Sequence, residues 1–327
     1  MANVKALLSV EGPNEPNNFP ITYDGRHGGG RSSSWLPVAE LQKHIYSAVK
    51  SDPELTLFPV FHVSEGGAET DDVGLQYLAI PDGAHALLPD GTHFADYANV
   101  HNYVSGVRMG YVDNQAWHAA DPTLNGGWDG LYKEYGNTWM RHFRGYSDDQ
   151  LQALPRVTTE TGWDAATPEE ERIQGIVLVN AYLAQFKRGW RYTFIYELGE
   201  GEGGGGHQGL FHENWTPKLA ATYIHNLTTI LADDGPLATS GHLEYQILGQ
   251  HSTVHDLLLQ KSGGAFELVV WGEQIAGTNK ITVNLERTRK QVAIYDTTAG
   301  TAPIEVLTDT SNFPVMISDH ALIIEIQ

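Results

Sequence analysis

Over residues 1–235, short apolar runs alternate with amphipathic stretches. The first run starts at Val4 and stops at Gly12-Pro13, ahead of Asn14-Glu15-Pro16. Leu55 to Val63 is nearly continuous, and Ala98 to Val104, Arg156 to Thr161 and Tyr192 to Leu198 complete the set. Each reads as a strand, and the continuous run reads as one buried on both faces. Leu36 to Lys50 puts Val38, Leu41, Ile45 and Val49 on one helical face, and Asp52-Pro53 stops it. Asp129 to Phe143 is also expected to be helical, and Ser147 with Gln150 frames a capping box. Thr167-Pro168-Glu169-Glu170 opens a helix with an N-cap, a proline that needs no N–H partner, and acids near the positive helix end. That helix ends at Lys187-Arg188-Gly189, and a last one runs from Thr216-Pro217 to about Ala232. Between these elements, Asn17 to Ser34 and Ser64 to Asp96 read as loops, with a short extra element around Leu75 to Ile80. Strands alternating with helices predict a parallel sheet, hence an α/β layer or barrel.

Past Asp234-Gly235-Pro236 the period changes. His242 to Leu248, Val254 to Gln260, Ala265 to Trp271, Lys280 to Leu285, Gln291 to Tyr295, Ile304 to Leu307 and Ala321 to Ile326 are short strand-like runs with turns between them. They predict a small antiparallel β-sandwich over 236–327, after an α/β domain over 1–235.

Composition narrows the function classes. There are 40 acids against 20 bases, a formal charge of -20 that repels phosphate backbones and argues against a nucleic-acid partner. With no cysteine, a thiolate nucleophile, a thiolate metal site and a disulfide are all ruled out. No run has the length of a membrane span, and the N-terminus has no basic region followed by an apolar core. Either the chain stays inside the cell or the start shown is not the native one. Met1-Ala2 leading straight into a buried-looking strand favours the second.

The strand ends carry the chemistry: Asn14 and Glu15, then His62, then His101 and Tyr103, then Glu160, then Tyr196 and Glu197. Functional groups gather at the carboxyl ends of parallel strands. Two carboxylates facing each other suit glycosidic bond cleavage, one protonating the leaving oxygen and the other attacking carbon or activating water. His101 and Tyr103 are placed to set the two carboxyls apart in acidity, and Trp128 and Trp163 offer rings for sugar faces. His62 is expected to be structural. His207 and His212 are five apart in an irregular stretch, which is weak evidence for a metal, so no metal or other cofactor is expected. The glycine-rich run after Glu200 lacks the Lys-Ser/Thr ending of a phosphate loop.

Asn14-Glu15-Pro16, His101-x-Tyr103 and Thr159-Glu160-Thr161-Gly162 resemble the marks of clan-A glycoside hydrolases, the retaining (β/α)8 barrel enzymes that include families 5 and 39. The resemblance implies Glu15 as acid/base, Asn14 as ligand of the sugar 2-hydroxyl, Glu160 as nucleophile and Tyr103 as its hydrogen-bond partner. In that clan the Asn-Glu pair ends the fourth barrel strand, so the first three βα units are missing. The implied fold is an incomplete (β/α)8 barrel followed by a β-sandwich. Long loops over the gap, or two copies pairing as a homo-oligomer, are ways to bury the open edges. The alternative function is a non-catalytic carbohydrate-binding descendant.

Overall fold

The computed structural model describes residues 6–16, 18–30, 34–64, 66–68, 88–104, 116–120, 145–146, 150, 153–201, 206–233, 235–236, 239–274 and 276–327. In chain order the strands and helices are β1 (Val10–Glu11), β2 (Ile21–Tyr23), β3 (Arg26–Gly28), α1 (Leu36–Ser51), β4 (Val60–Phe61), β5 (Gly66–Ala68), β6 (Ala98–Asn99), β7 (His101–Tyr103) and α2 (Ala116–Ala119). They continue with β8 (Arg156–Thr161), α3 (Pro168–Lys187), β9 (Tyr192–Ile195), α4 (Leu219–Ile230), β10 (Gln246–Leu248), β11 (Val254–Gln260), β12 (Phe266–Gly272), β13 (Asn279–Asp296), β14 (Glu305–Ile317) and β15 (Ala321–Ile326). The expected elements at Leu75 to Ile80, Asp129 to Phe143 and Ser147 lie outside the described residues. No helix among the described residues is long and apolar enough to cross a membrane.

The chain forms two compact units, each assembled from separated segments. The first takes the described residues of Met1–Tyr103, His118–Thr161 and Arg188–Ile195. Here β1 lies parallel to β4, Phe61 bridges to Tyr97 beside β6, β6 pairs with β8, and β8 pairs with β9. All these pairings are parallel, and neighbours follow the order of the chain. Among the described residues no ladder joins β1 to β9. The inner strands β4 and β6 are fully buried, while β1 is half-buried and Phe194 of β9 is exposed. Helix α1 contributes Trp35, Val38 and Ala39 to a core with Val63, Phe94 and Ala98. Its Gln42 reaches in to donate to the carbonyls of Phe61 and Phe94 at 3.2 and 2.8 Å. Gly12 makes that reach feasible, since a Cβ there would sit 1.8 Å from Gln42 Oε1.

Three expectations need correction in this unit. The run Leu55 to Phe58 is a turn and not part of a strand. Asp52 Oδ1 accepts from Glu54 N–H at 2.8 Å and its carbonyl accepts from Leu55 and Thr56, so a local turn wins over extension. The expected loop at Asn17 to Ser34 contains the β2–β3 hairpin, whose Asp24 and Gly25 both have positive φ, 50° and 70°, the geometry that suits a two-residue hairpin turn. The third strand is broken at Val100 into β6 and β7, and β7 pairs with β5.

The second unit takes the described residues of Val104–Trp117, Gly162–Lys187 and Tyr196–Gln327. Thr167 and Glu170 cap α3 reciprocally, Glu170 N–H donating to Thr167 Oγ1 and Thr167 N–H to Glu170 Oε2. Six antiparallel strands run β10-β13-β15-β12-β11, with β14 on β13, in one hydrogen-bonded sheet. The two strands expected at Lys280 to Leu285 and Gln291 to Tyr295 are one 18-residue strand, β13, with a register shift between Asn284 and Arg289. Its first half pairs with β10 and its second with β15. Strand β14 extends well past Leu307 to Ile317 and holds Pro314 opposite Thr282. Among the described residues it pairs only with β13, so the missing proline N–H breaks no second ladder. Val270, Ile281, Val283, Val292, Ile294 and Ile324 form the centre of its apolar core. Asn180 of α3 donates to the carbonyls of Gly272 and Asp319, and Arg172 pairs with Asp319 at 2.7 Å, so α3 packs on this sheet. Asn226, in the sequence Asn226-Leu227-Thr228, is buried in α4 and donates to the Thr297 carbonyl.

Candidate active site

Strand β1 ends at Glu11, and Glu15 stands in the turn beyond it, not on the strand end itself. A residue before proline is biased toward extended backbone, but Glu15 has φ 38°. Its carbonyl accepts from Asn18 and Phe19 N–H, each at 2.8 Å, and its N–H donates to Ser64 Oγ at 3.2 Å. That turn turns the side chain inward at a backbone cost of about 1–3 kcal/mol, which these bonds offset.

Four of the expected site residues meet here. His101 of β7 is buried, and its Nδ1 lies 2.7 Å from Glu15 Oε1 and 3.4 Å from Glu160 Oε2. Tyr103, two residues on and so on the same face of β7, donates its hydroxyl to Glu160 Oε1. Asn18 Nδ2 donates to Glu15 Oε2 at 3.0 Å. Burial pushes the Glu15 carboxyl up, but the bonds from His101 and Asn18 and the His101 charge outweigh it, leaving Glu15 below the usual carboxylate range.

A second layer sits beneath. Glu11 Oε1 accepts from Asn99 Nδ2 and Thr159 Oγ1, both at 2.8 Å, and Thr159 Oγ1 lies 3.1 Å from His101 Nε2. Asn99 also donates to the His62 carbonyl and accepts from Thr159 N–H. Burial raises Glu11 above the usual range despite bonds from Thr159 and Asn99 and the nearby His101. Glu11, Asn99 and Thr159 were not among the expected site residues. The available signal was a carboxylate placed inside the apolar run Leu7 to Val10 and its turn, where a solvated acid is out of place.

The other expected residues fall elsewhere. Asn14 is exposed beside this cluster in sequence. His62 is fully buried against Phe94, and burial holds it down to about 3, in keeping with a structural role. Trp163 belongs to the second unit and is 4% exposed, so it presents no open face for a sugar. Its carbonyl accepts from Gln174. Tyr196 and Glu197 are also in the second unit, in a segment that runs beside 208–211. Trp128 lies outside the described residues.

Among the described residues, Glu15, His101 and Glu160 are the one group of three acids or histidines whose ligand atoms converge, all within 4.8 Å. Their facing atoms already engage one another, so the group closes as a hydrogen-bonded set. His207 and His212 do not form such a group. His212 lies 3.5 Å from Glu171 and 3.7 Å from Glu200, and the buried Lys218 takes Glu200 at 2.8 Å.

No family model matches the chain, and no curated protein does. Among solved structures it is similar to a family 39 glycoside hydrolase from Bacteroides cellulosilyticus WH2, with 15% identity and a TM-score of 0.55 over 97% of this chain and 57% of that one. A family 30 endoxylanase from Clostridium papyrosolvens C71 aligns with 10% identity and a TM-score of 0.49, over 99% and 67% of the two chains. A family 51 arabinofuranosidase from Xanthomonas axonopodis pv. citri aligns with 14% identity and a TM-score of 0.48, over 91% and 64%. The fold likeness rests on the first of these, and the chain spans 57% of that protein's length.

Proposed function

We propose that the chain is a retaining glycoside hydrolase that cleaves a β-linked glycan or oligosaccharide by double displacement, with Glu160 as nucleophile and Glu15 as acid/base. One observation carries the reading: both carboxylates flank one buried imidazole, with the converging atoms within 4.8 Å. A separation near 5–5.5 Å lets a carboxylate reach the anomeric carbon directly, whereas about 6.5–9.5 Å leaves room for a water. The Tyr103 hydroxyl bond to Glu160 supports the ionised form that a nucleophile needs.

In the first step Glu160 forms an ester with the anomeric carbon while Glu15 gives a proton to the departing oxygen. In the second, Glu15 takes a proton from water, whose oxygen attacks the same carbon and releases Glu160. A lowered Glu15 pKa has the wrong sign for a lone general acid. The 2.7 Å contact with His101 Nδ1 removes the difficulty, because the acid is then the Glu15–His101 pair holding one proton between them. Asn14 is assigned to the sugar 2-hydroxyl and Trp128 to a further sugar contact. The domain over 1–235 is assigned the chemistry, and 236–327 is assigned as an appended β-sandwich.

The test is hydrolysis of a panel of aryl β-glycosides and β-glycans by the purified chain, followed by a fluorinated glycoside inactivator. The expected result is a covalent adduct on the peptide that contains Glu160, absent in Glu160→Ala. Turnover unchanged in both Glu15→Ala and Glu160→Ala would sink the assignment. Among the described residues no strand pairs with the outer edges of β1 and β9, which favours a second reading, a glycan-binding descendant without turnover whose copies pair along those edges. It predicts glycan affinity and a dimer by light scattering, with no product formed.

A further inference from the structure

The Thr159 hydroxyl has one proton and three polar neighbours besides its own backbone: Glu11 Oε1 at 2.8 Å, Asn99 with Nδ2 at 2.9 Å and Oδ1 at 3.1 Å, and His101 Nε2 at 3.1 Å. The Glu11 carboxylate and the Asn99 amide oxygen both only accept, and Glu11 is the nearer, so the hydroxyl proton is placed on the Glu11 side while Asn99 Nδ2 donates to the hydroxyl oxygen. The hydroxyl oxygen is then an acceptor toward the imidazole, and Nε2 must carry a hydrogen. On the other side of the ring, Nδ1 meets carboxylate oxygens of Glu15 and Glu160, and the 2.7 Å contact with Glu15 requires a proton between them. Among the described residues, the titratable groups facing His101 are therefore Glu15 and Glu160 at Nδ1 and Glu11, through Thr159, at Nε2. Tyr103 acts on it through Glu160.

We infer that Glu11 is a positioning residue for the acid/base step: through Thr159 it pins one His101 proton on Nε2, so that the proton on the Nδ1 side is the one passed to and from Glu15. The inference rests on the reading of Glu15 as acid/base. The exchange balances without another reactant. When the proton moves from Nδ1 to Glu15 Oε1, the ring is left as the neutral Nε2–H form, which the Thr159–Glu11 arm already matches. When Glu15 later takes a proton from water, the ring returns to the doubly protonated state by accepting it at Nδ1. The buried charge on Glu11 costs desolvation, and its attraction to the imidazolium raises the affinity of the Glu15–His101 pair for that proton.

The experiment uses the full chain labelled with ¹⁵N-histidine, with His101 assigned by loss of its signal in His101→Gln. Nitrogen shifts followed across pH report the tautomer and the titration of the pair, with or without turnover. In the wild type the neutral ring should be the Nε2–H form. Glu11→Gln and Thr159→Val should each lower the apparent titration point by about one pH unit, with the alkaline limb of kcat/KM moving by the same amount. Thr159→Ser keeps the hydroxyl and should retain the wild-type titration, and the Glu11→Gln/Thr159→Val double variant should shift no further than either single one. Folded variants whose His101 titration stays within about 0.2 unit of wild type would overturn the inference, as would a neutral Nδ1–H ring in the wild type. A shifted titration together with no hydrolysis of any glycoside supports the proton linkage and counts against the glycosidase reading, so the two can fail separately.

Discussion

In the first unit, strands of two to six residues bury Asn99, His101, Thr158 and Thr161 among their apolar neighbours. In the second, strands of up to 18 residues bury Ile281, Val283, Val292, Ile294 and Ile324 against one another. Both interiors are shielded from water, but different forces hold them. The aliphatic sheet gains from every methylene it hides, at about 25 cal/mol per Å². The polar ladder gains little net free energy from each hydrogen bond and would lose more from a broken one, since an orphaned buried group costs about 1–3 kcal/mol. What that layer provides is fixed geometry for the groups proposed to exchange protons. Substitutions in the two units should therefore separate activity from stability.

The largest separation is expected at Glu160. Glu160→Gln keeps the shape and the bond from Tyr103 but removes the carboxylate proposed as nucleophile, so kcat should fall by at least about 10⁴-fold, or about 5 kcal/mol of barrier. Its urea midpoint should stay at or slightly above the wild-type value, because a carboxylate facing Glu15 is gone. Ile324→Ala in the aliphatic sheet should do the reverse, costing about 3–4 kcal/mol of stability while leaving kcat per folded molecule unchanged. Equal losses of activity per folded molecule in the two variants would break the division drawn here.

The sequence already pointed to much of the site, for a physical reason. Glu15, His101, Tyr103 and Glu160 follow apolar runs, and in parallel strands such residues come out at one rim whatever the loops do. The cap of α3 was legible because Thr167 and Glu170 act within one turn. Glu11 and Thr159 were missed because their role depends on partners 148 residues apart, which no local pattern records. The extension of β14 beyond Leu307 was missed because a proline such as Pro314 usually ends a strand, and its position at the side of β13 makes it harmless. The β2–β3 hairpin had its signal in Asp24-Gly25, obscured by the glycine and serine content around it. Trp163 was read from its place beside Glu160, but chain proximity does not decide whether a ring is covered.

Charge also has a structural use in the second unit, and pH should expose it. His320 lies between Asp296 and Asp319, and Asp319 also takes Arg172 of α3. Burial works against the charge on His320, yet its two aspartates raise it to about 9. Burial likewise opposes ionisation of Asp296 and Asp319, and their partners bring each down to about 2. The histidine is raised, so its contribution is complete below its ordinary value near 6.5 and is lost as pH climbs through about 9. The aspartates are lowered, so theirs is present above about 4 and is lost as pH falls through about 2. These are one set of bonds seen from both ends, worth about 1–2 kcal/mol at this partial exposure. Thermal unfolding should therefore be most favourable to the fold between about pH 4 and 6.5, with His320→Gln flattening the alkaline fall. An unaltered alkaline limb in that variant would assign the fall to other groups.

The smallest effect is expected where the sequence is most misleading. Leu57 sits in the middle of the apolar run from Leu55 to Val63 and, as a strand residue buried on both faces, would cost about 2–5 kcal/mol on truncation. In the structure it is 92% exposed, in the turn that Asp52 organises between α1 and β4. Leu57→Ser should accordingly change the urea midpoint by no more than the equivalent of about 0.5 kcal/mol, and it removes an exposed apolar group. Asp52→Ala, which leaves Leu57 untouched, should cost more, about 1 kcal/mol, by removing the carboxylate that accepts from Glu54 N–H. If Leu57→Ser proved the more damaging of the two, the run would be a buried strand after all, and the register that brings Glu11 opposite Phe61 would have to be redrawn.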